Sequence, residues 1–345
     1  MTKFTRRILK GLRLESEGAA RAVMKQSHAF RHASTIVLCF YVYQMTALTN
    51  AFSRWEQWSN TAFVDPQWIV KVLNDLLPGY AVTVCNGLLV LGTVSAVLFY
   101  KKRWARLAFF LGSYLSLALA NSHGKIDHGG FLTLFLAFVL VFLPDGGRSA
   151  SRTTRQKYLT VFIAAQAVVL SIYSLAGFWK VFAAFETKPF GVVSLFSVGA
   201  FPAQIAASLI EKQAESGAGL FLIAHPHLAW MVGILGIFFE FFALAALRRP
   251  RMHVVFGTAL IFMHLGAILF MSIFFTSNII YLALFLVASP FSPDFNLRQS
   301  LAALPVAGWM LPSRWRTTIL ASAPKKIPFT GSGQVLTPRR TARAP

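Results

Sequence analysis

The feature that most constrains this chain is a series of apolar runs, most of them close to the roughly 20 residues that a helix needs to cross about 30 Å of hydrocarbon and three of them shorter, separated by polar links and by clusters of Lys and Arg. Such a series has one favourable solution, because every backbone polar group inside a bilayer must be satisfied within its own helix. The runs fall at about 34–52, 80–100, 107–120, 129–143, 158–182, 228–247, 253–275 and 279–291. The expected fold is therefore all-α, a polytopic membrane bundle of about eight transmembrane helices. Composition agrees: 56% of the residues are hydrophobic and 33 of the 345 are Phe, more apolar surface than a soluble core of this size hides.

The net charge of +21 raises the question of nucleic acid, but no solvated domain carries a basic patch, so no nucleic-acid partner is expected. The charge follows the membrane instead. If the N-terminus is cytoplasmic, the leader, 101–106, 148–157, 248–251 and the tail are the inner segments, and they hold 27 of the 33 basic residues. A miscount of one span would scramble that alternation. Both termini are expected inside, in a multi-pass protein of the cell membrane. The domain reading is a basic leader over 1–33, an eight-helix transmembrane domain over 34–293 and a basic, largely disordered tail over 294–345. Phe4, Ile8, Leu9 and Leu12 give the leader the spacing of an amphipathic helix on anionic lipids. Ser53 to Gly79 reads as a polar connection, its tryptophans suited to the headgroup zone. The longest link between spans, 184–227, contains a helical stretch from Phe201 to Lys212 that opens near Pro202. Cys39 and Cys85, the two cysteines, lie in apolar runs, so no disulfide framework is indicated.

Four residues of the fifth span share one helical face: Tyr173, Ala176, Gly177 and Lys180 follow i, i+3, i+4 and i+7. Small residues there admit a neighbouring helix or a flat ligand. Lys180 either snorkels to the interface or meets what docks on the strip. The fourth span begins at the same outer level with Asp127 and His128, so His128 is a candidate partner for Lys180. Glu240 lies about 18 Å into the sixth span and His264 about 16 Å below the outer end of the seventh, at 1.5 Å per residue. Near-midplane ionisable groups usually face the bundle interior and pair, and these two are natural partners for each other. They either pin two helices or contact a ligand. His123, His128, His225 and His227 lack the i, i+4 spacing of a helical ligand pair, so no metal is expected.

Together these motifs resemble the horizontally transferred transmembrane domain family, whose members include the vitamin K-dependent gamma-glutamyl carboxylases. The strip ending at Lys180 is similar to the carboxylase segment with the proposed catalytic lysine. Asp127 and His128, followed by a span ending Phe142 to Asp145, are similar to its Asn-His segment. Glu240, the stretch Phe262 to His264, and Val287 to Phe291 resemble later landmarks. The resemblance spans roughly 34–293. It implies Lys180 and His128 as catalytic residues, and Tyr173, Gly177, Glu240, His264 and Asp127 as residues lining the substrate or cofactor site. The implied cofactor is a reduced, vitamin K-like prenylated quinone, and the implied substrate a peptide or protein on the outer side. An amine held away from water is suited to taking a phenolic proton. The chain departs from that pattern at Trp179 and Asp127, and has only 184–227 where carboxylases carry a large lumenal domain, so quinone binding or oxidation fits better than carboxylation of a protein. The other reading is a non-catalytic membrane module, a toxin-immunity or export-associated partner, whose polar residues hold helices together.

Overall fold

A computed structural model describes residues 19–59, 63, 65–123, 129–146, 150–185, 194–248 and 250–291. Among them the chain is helical throughout and forms no strand. The helices are α1 (Ala19–Ser59), α2 (Trp68–Leu76), α3 (Ala81–Leu98), α4 (Arg103–Asn121), α5 (Gly129–Val141), α6 (Arg152–Phe185), α7 (Ala200–Glu211), α8 (Gly217–Ala224), α9 (Pro226–Phe241), α10 (Pro250–Met271) and α11 (Thr276–Leu282). A 3-10 turn, Ala243–Arg248, follows α9, and a π-helical turn, Ala283–Val287, continues α11.

Among the described residues three stretches are long and apolar enough to cross a membrane by themselves, Ala81–Leu98, Arg152–Phe185 and Met252–Met271. A fourth arises if α8 and α9, which meet at 107°, are taken as one broken span. Gly129–Val141 and Thr276–Val287 are shorter apolar helices. The expected leader helix around residues 4–12 and the tail beyond 291 lie outside the described residues.

The first helix differs from expectation. It runs for 41 residues, well past both ends of the apolar run at 34–52. Neither Gly nor Pro occurs between Ala19 and Ser59, so nothing in the backbone chemistry stops it at the apolar boundary. The supposed polar connection after Phe52 is accordingly helical to Ser59 and again over Trp68–Leu76.

Helices α3 and α4 pack as an antiparallel pair at unusually close range. A Cβ on Gly92 would sit 2.6 Å from the Ala108 carbonyl oxygen, and one on Gly112 equally close to that of Leu88. Bare glycine surfaces let the two backbones meet, the usual device where lipid gives helices no hydrophobic reason to associate. The start of α4 is tied down by Arg106, whose side chain is fully buried. Its guanidinium donates to the carbonyls of Tyr100 (2.8 Å) and Leu143 and meets Asp145 at 3.3 Å. Phe40 and Tyr41 of α1 pack on Phe109, and Phe40 also meets Tyr281 and Phe285, so the first helix closes against the last.

The π-helical turn coincides with a buried polar network. Gln166 of α6 donates to the carbonyl of Phe285 (2.6 Å) and to Ser289 Oγ (2.9 Å), and Ser289 Oγ lies 3.0 Å from His253 Nδ1. A widened turn leaves a carbonyl short of its intrahelical partner, and the Gln166 amide supplies one. Elsewhere, α7 and α8 form a small core with Ile205, Leu209, Leu222, Ala229 and Met271. The helical stretch expected after Phe201 is present as α7, with Pro202 in its first turn.

Candidate functional site

The strip on α6 is graded in exposure: Tyr173 and Gly177 are buried and Lys180 is exposed. Gly177 explains what docks there. A Cβ at this position would lie 2.7 Å from Phe241 Cα and 2.8 Å from the Glu240 carbonyl carbon, closer than side-chain carbons pack on backbone. The end of α9 therefore occupies the space that the missing side chain vacates. Of the two occupants a small residue admits, helix or flat ligand, Gly177 takes the helix.

Ser174 completes that seat. Its hydroxyl donates to the Phe241 carbonyl (3.2 Å) and accepts from the Leu244 amide (2.8 Å). These are backbone groups at the point where α9 passes into the 3-10 turn, and such groups need outside partners. The arrangement aims Glu240, one residue before Phe241, back at α6. Lys180 Nζ donates to both carboxylate oxygens, at 2.7 Å to Oε1 and 2.5 Å to Oε2. The ion pair is lopsided, with the lysine side chain 44% exposed and that of the glutamate 6%. Glu240 is the fixed member and Lys180 the member that reaches solvent or ligand.

Below this pair sits a second. Tyr173 Oη lies 2.7 Å from His264 Nε2, with the Asn278 side chain close to the phenol. The Phe275 ring covers the imidazole at a centroid distance of 4.8 Å. His264 Nδ1 is buried without a hydrogen-bond partner.

Five of the expected site residues, Tyr173, Gly177, Lys180, Glu240 and His264, thus belong to one constellation built by α6, α9 and α10. Asp127 and His128 lie outside the described residues. The pairing differs from expectation: Glu240 binds Lys180, and His264 binds Tyr173. Equal depth in adjacent spans suggested that Glu240 and His264 face each other, but depth says nothing about azimuth. The close approach at Gly177 turns Glu240 onto α6 instead. Ser174, Phe275 and Asn278 were not anticipated. Ser174 lies beside the strip rather than on it, and Asn278 falls in what reads as a short link.

Chemically, the upper pair offers an amine and a carboxylate in direct contact, across which a proton can move, with the amine open to the outside. The lower pair offers a phenol and an imidazole locked in a sealed position. Among the described residues no three His, Cys, Asp or Glu side chains converge. No protein-family model, no curated protein and no solved structure matches the chain.

Proposed function

We propose that the chain is an eight-span protein of the cell membrane, with both termini cytoplasmic, that binds a reduced prenylated quinone at Lys180 in the manner of a vitamin K-dependent carboxylase-like membrane enzyme. Two features support the topology. Each of the eight apolar runs falls on a helix, namely α1, α3, α4, α5, α6, α9, α10 and α11 with its π extension, and the basic residues alternate in step with them.

The observation that carries the chemistry is the lopsided ion pair. A hydroquinone is an apolar ring with two phenolic hydroxyls, so it reaches the site through the bilayer and presents an acidic proton to a basic group. In the structure Lys180 Nζ rests against both carboxylate oxygens of Glu240. When a ring covers the mouth and excludes water, two charges cost more than two neutral groups. In the covered site one proton would pass along the 2.5 Å contact to Glu240, and the free amine on Lys180 would accept the hydrogen bond of a phenolic hydroxyl; a bound hydroquinone would supply the electrons for oxidation. Tyr173 and His264 act from below by fixing α10 against α6 beneath the pair.

The test is organic extraction of protein purified in mild detergent. Bound quinone in the wild type and its loss in a folded Lys180→Ala protein would bear the reading out, and absence of quinone together with failure to bind added hydroquinone would refute it. One observation favours the non-catalytic module: Lys180 and Glu240 also clamp α9 onto α6 beside Gly177 and Ser174. Under that reading Lys180→Ala loosens the helix pair, no quinone is found, and a partner protein co-purifies.

A further inference from the structure

The first turns of α6 carry a polar face that neither the core nor the Lys180 site uses. Thr153, Gln156, Lys157 and Thr160 follow i, i+3, i+4 and i+7, and all four are exposed. The opposite face, with Tyr158, Leu159, Phe162 and Gln166, is buried in the bundle. The polar face therefore looks outward, where a membrane helix ordinarily meets lipid. It lines an open groove of about 390 Å³ whose remaining walls are Phe142 and Val161, within the range of small-molecule sites.

The groove is amphiphilic along its length. Lys157 and Gln156 offer donors, and α6 opens at Arg152, so its positive dipole end lies one turn away, with Ser151 already accepting from the Thr154 and Arg155 amides there. The Thr160 hydroxyl is committed to the Gln156 carbonyl at 3.0 Å, so at that level the wall is effectively apolar, continuing into Val161 and the half-exposed Phe142 ring. Arg103 lies against that same ring, 5.9 Å from its centroid, and adds a second cation to the rim. Among the described residues no acidic side chain lines the groove itself, and Asp145 lies beside its rim, accepting from the Arg103 amide at 2.7 Å.

We infer that this groove is a binding site for one anionic phospholipid, its phosphate on Lys157, its headgroup against Gln156 and Thr153, and an acyl chain along Val161 and Phe142. Charge complementarity selects the anionic headgroup and the apolar walls select a lipid over a free anion. The inference rests on the orientation proposed above only in assigning the lipid to the inner leaflet.

The experiment is native mass spectrometry of the full chain, delipidated in mild detergent and titrated with phosphatidylglycerol, phosphatidylcholine or inorganic phosphate. The wild type is expected to retain one phosphatidylglycerol more tightly than phosphatidylcholine. Lys157→Gln is expected to weaken it about five-fold, the usual effect of one lysine at an anionic surface, and Phe142→Ala to weaken it through the apolar wall. Lys101→Gln, outside the groove, leaves it unchanged. Equal retention of both lipids, Lys157→Gln indistinguishable from wild type, or displacement of the lipid by inorganic phosphate would each overturn the inference. The measurement is blind to quinone, so its failure leaves the reading of Lys180 untouched.

Discussion

Substituting Gly177 by Ala isolates the contact on which the site is built. The added Cβ would stand 2.7 Å from Phe241 Cα, and ordinary van der Waals contact begins at 3.4 Å. The Phe241 amide nitrogen is closer still, so the end of α9 must retreat by about 1 Å, because the obstructing atoms are backbone and no side-chain rotation relieves them. A retreat of that size carries the Ser174 to Phe241 bond from 3.2 Å beyond hydrogen-bond range, whereas the long Lys180 stem can follow Glu240. Overpacking of this kind costs about 1–3 kcal/mol. The assay is a thermal-stability cycle in detergent with Ser174→Ala as the second change. Ser174→Ala alone should cost about 1–2 kcal/mol, and roughly half of that in the Gly177→Ala background, where the bond to the Phe241 carbonyl is already broken and only the one from the Leu244 amide is left to lose. Strict additivity, or a Gly177→Ala protein as stable as wild type, would refute the reasoning.

Three further outcomes follow from the same geometry. Lys180→Met should destabilise the protein by about 2 kcal/mol, between the costs of breaking exposed and buried ion pairs, and the additional change Glu240→Leu should recover much of that by removing the stranded carboxylate; thermal melts of the three proteins check it. Tyr173→Phe strips His264 Nε2 of its partner and should cost about 1–2 kcal/mol, with faster hydrogen exchange along α10 as the readout. Gln166→Leu leaves the Phe285 carbonyl unmet in the π-helical turn, so chemical denaturation should show a loss of about 1–3 kcal/mol, against almost none for an exposed substitution such as Thr153→Val.

How much of this was legible beforehand depends on what kind of fact each residue expresses. Apolar periodicity and length are local, so the all-helical fold, the helix after Phe201 and the strip on α6 were readable directly. Where α1 ends was not, because apolar boundaries mark the edge of the hydrocarbon, whereas helices end at breakers, and none occurs between Ala19 and Ser59. That Lys180 and Glu240 matter was readable from the cost of placing charge in an apolar run. That they pair was not, since the pairing depends on how α9 is rotated, which is decided by one missing Cβ sixty-three residues away from Glu240 in the chain. Asn278 shows the same limit from the other side. It sits at the start of α11 among polar neighbours, and only the fold brings it to Tyr173.

The central claim, that Lys180 receives a hydroquinone-type ring, is tested most directly by fluorescence. Trp179 adjoins Lys180 and exposes 57% of its surface, so a prenylated quinone docked on the amine lies beside an indole it quenches. Titration of the protein in nanodiscs should give a saturable loss of tryptophan emission. Trp179→Phe should abolish the saturable part, and Lys180→Met should weaken it about ten-fold, the worth of one hydrogen bond to a charged group. A linear, unsaturable quench that is the same in wild type and Lys180→Met would contradict the account.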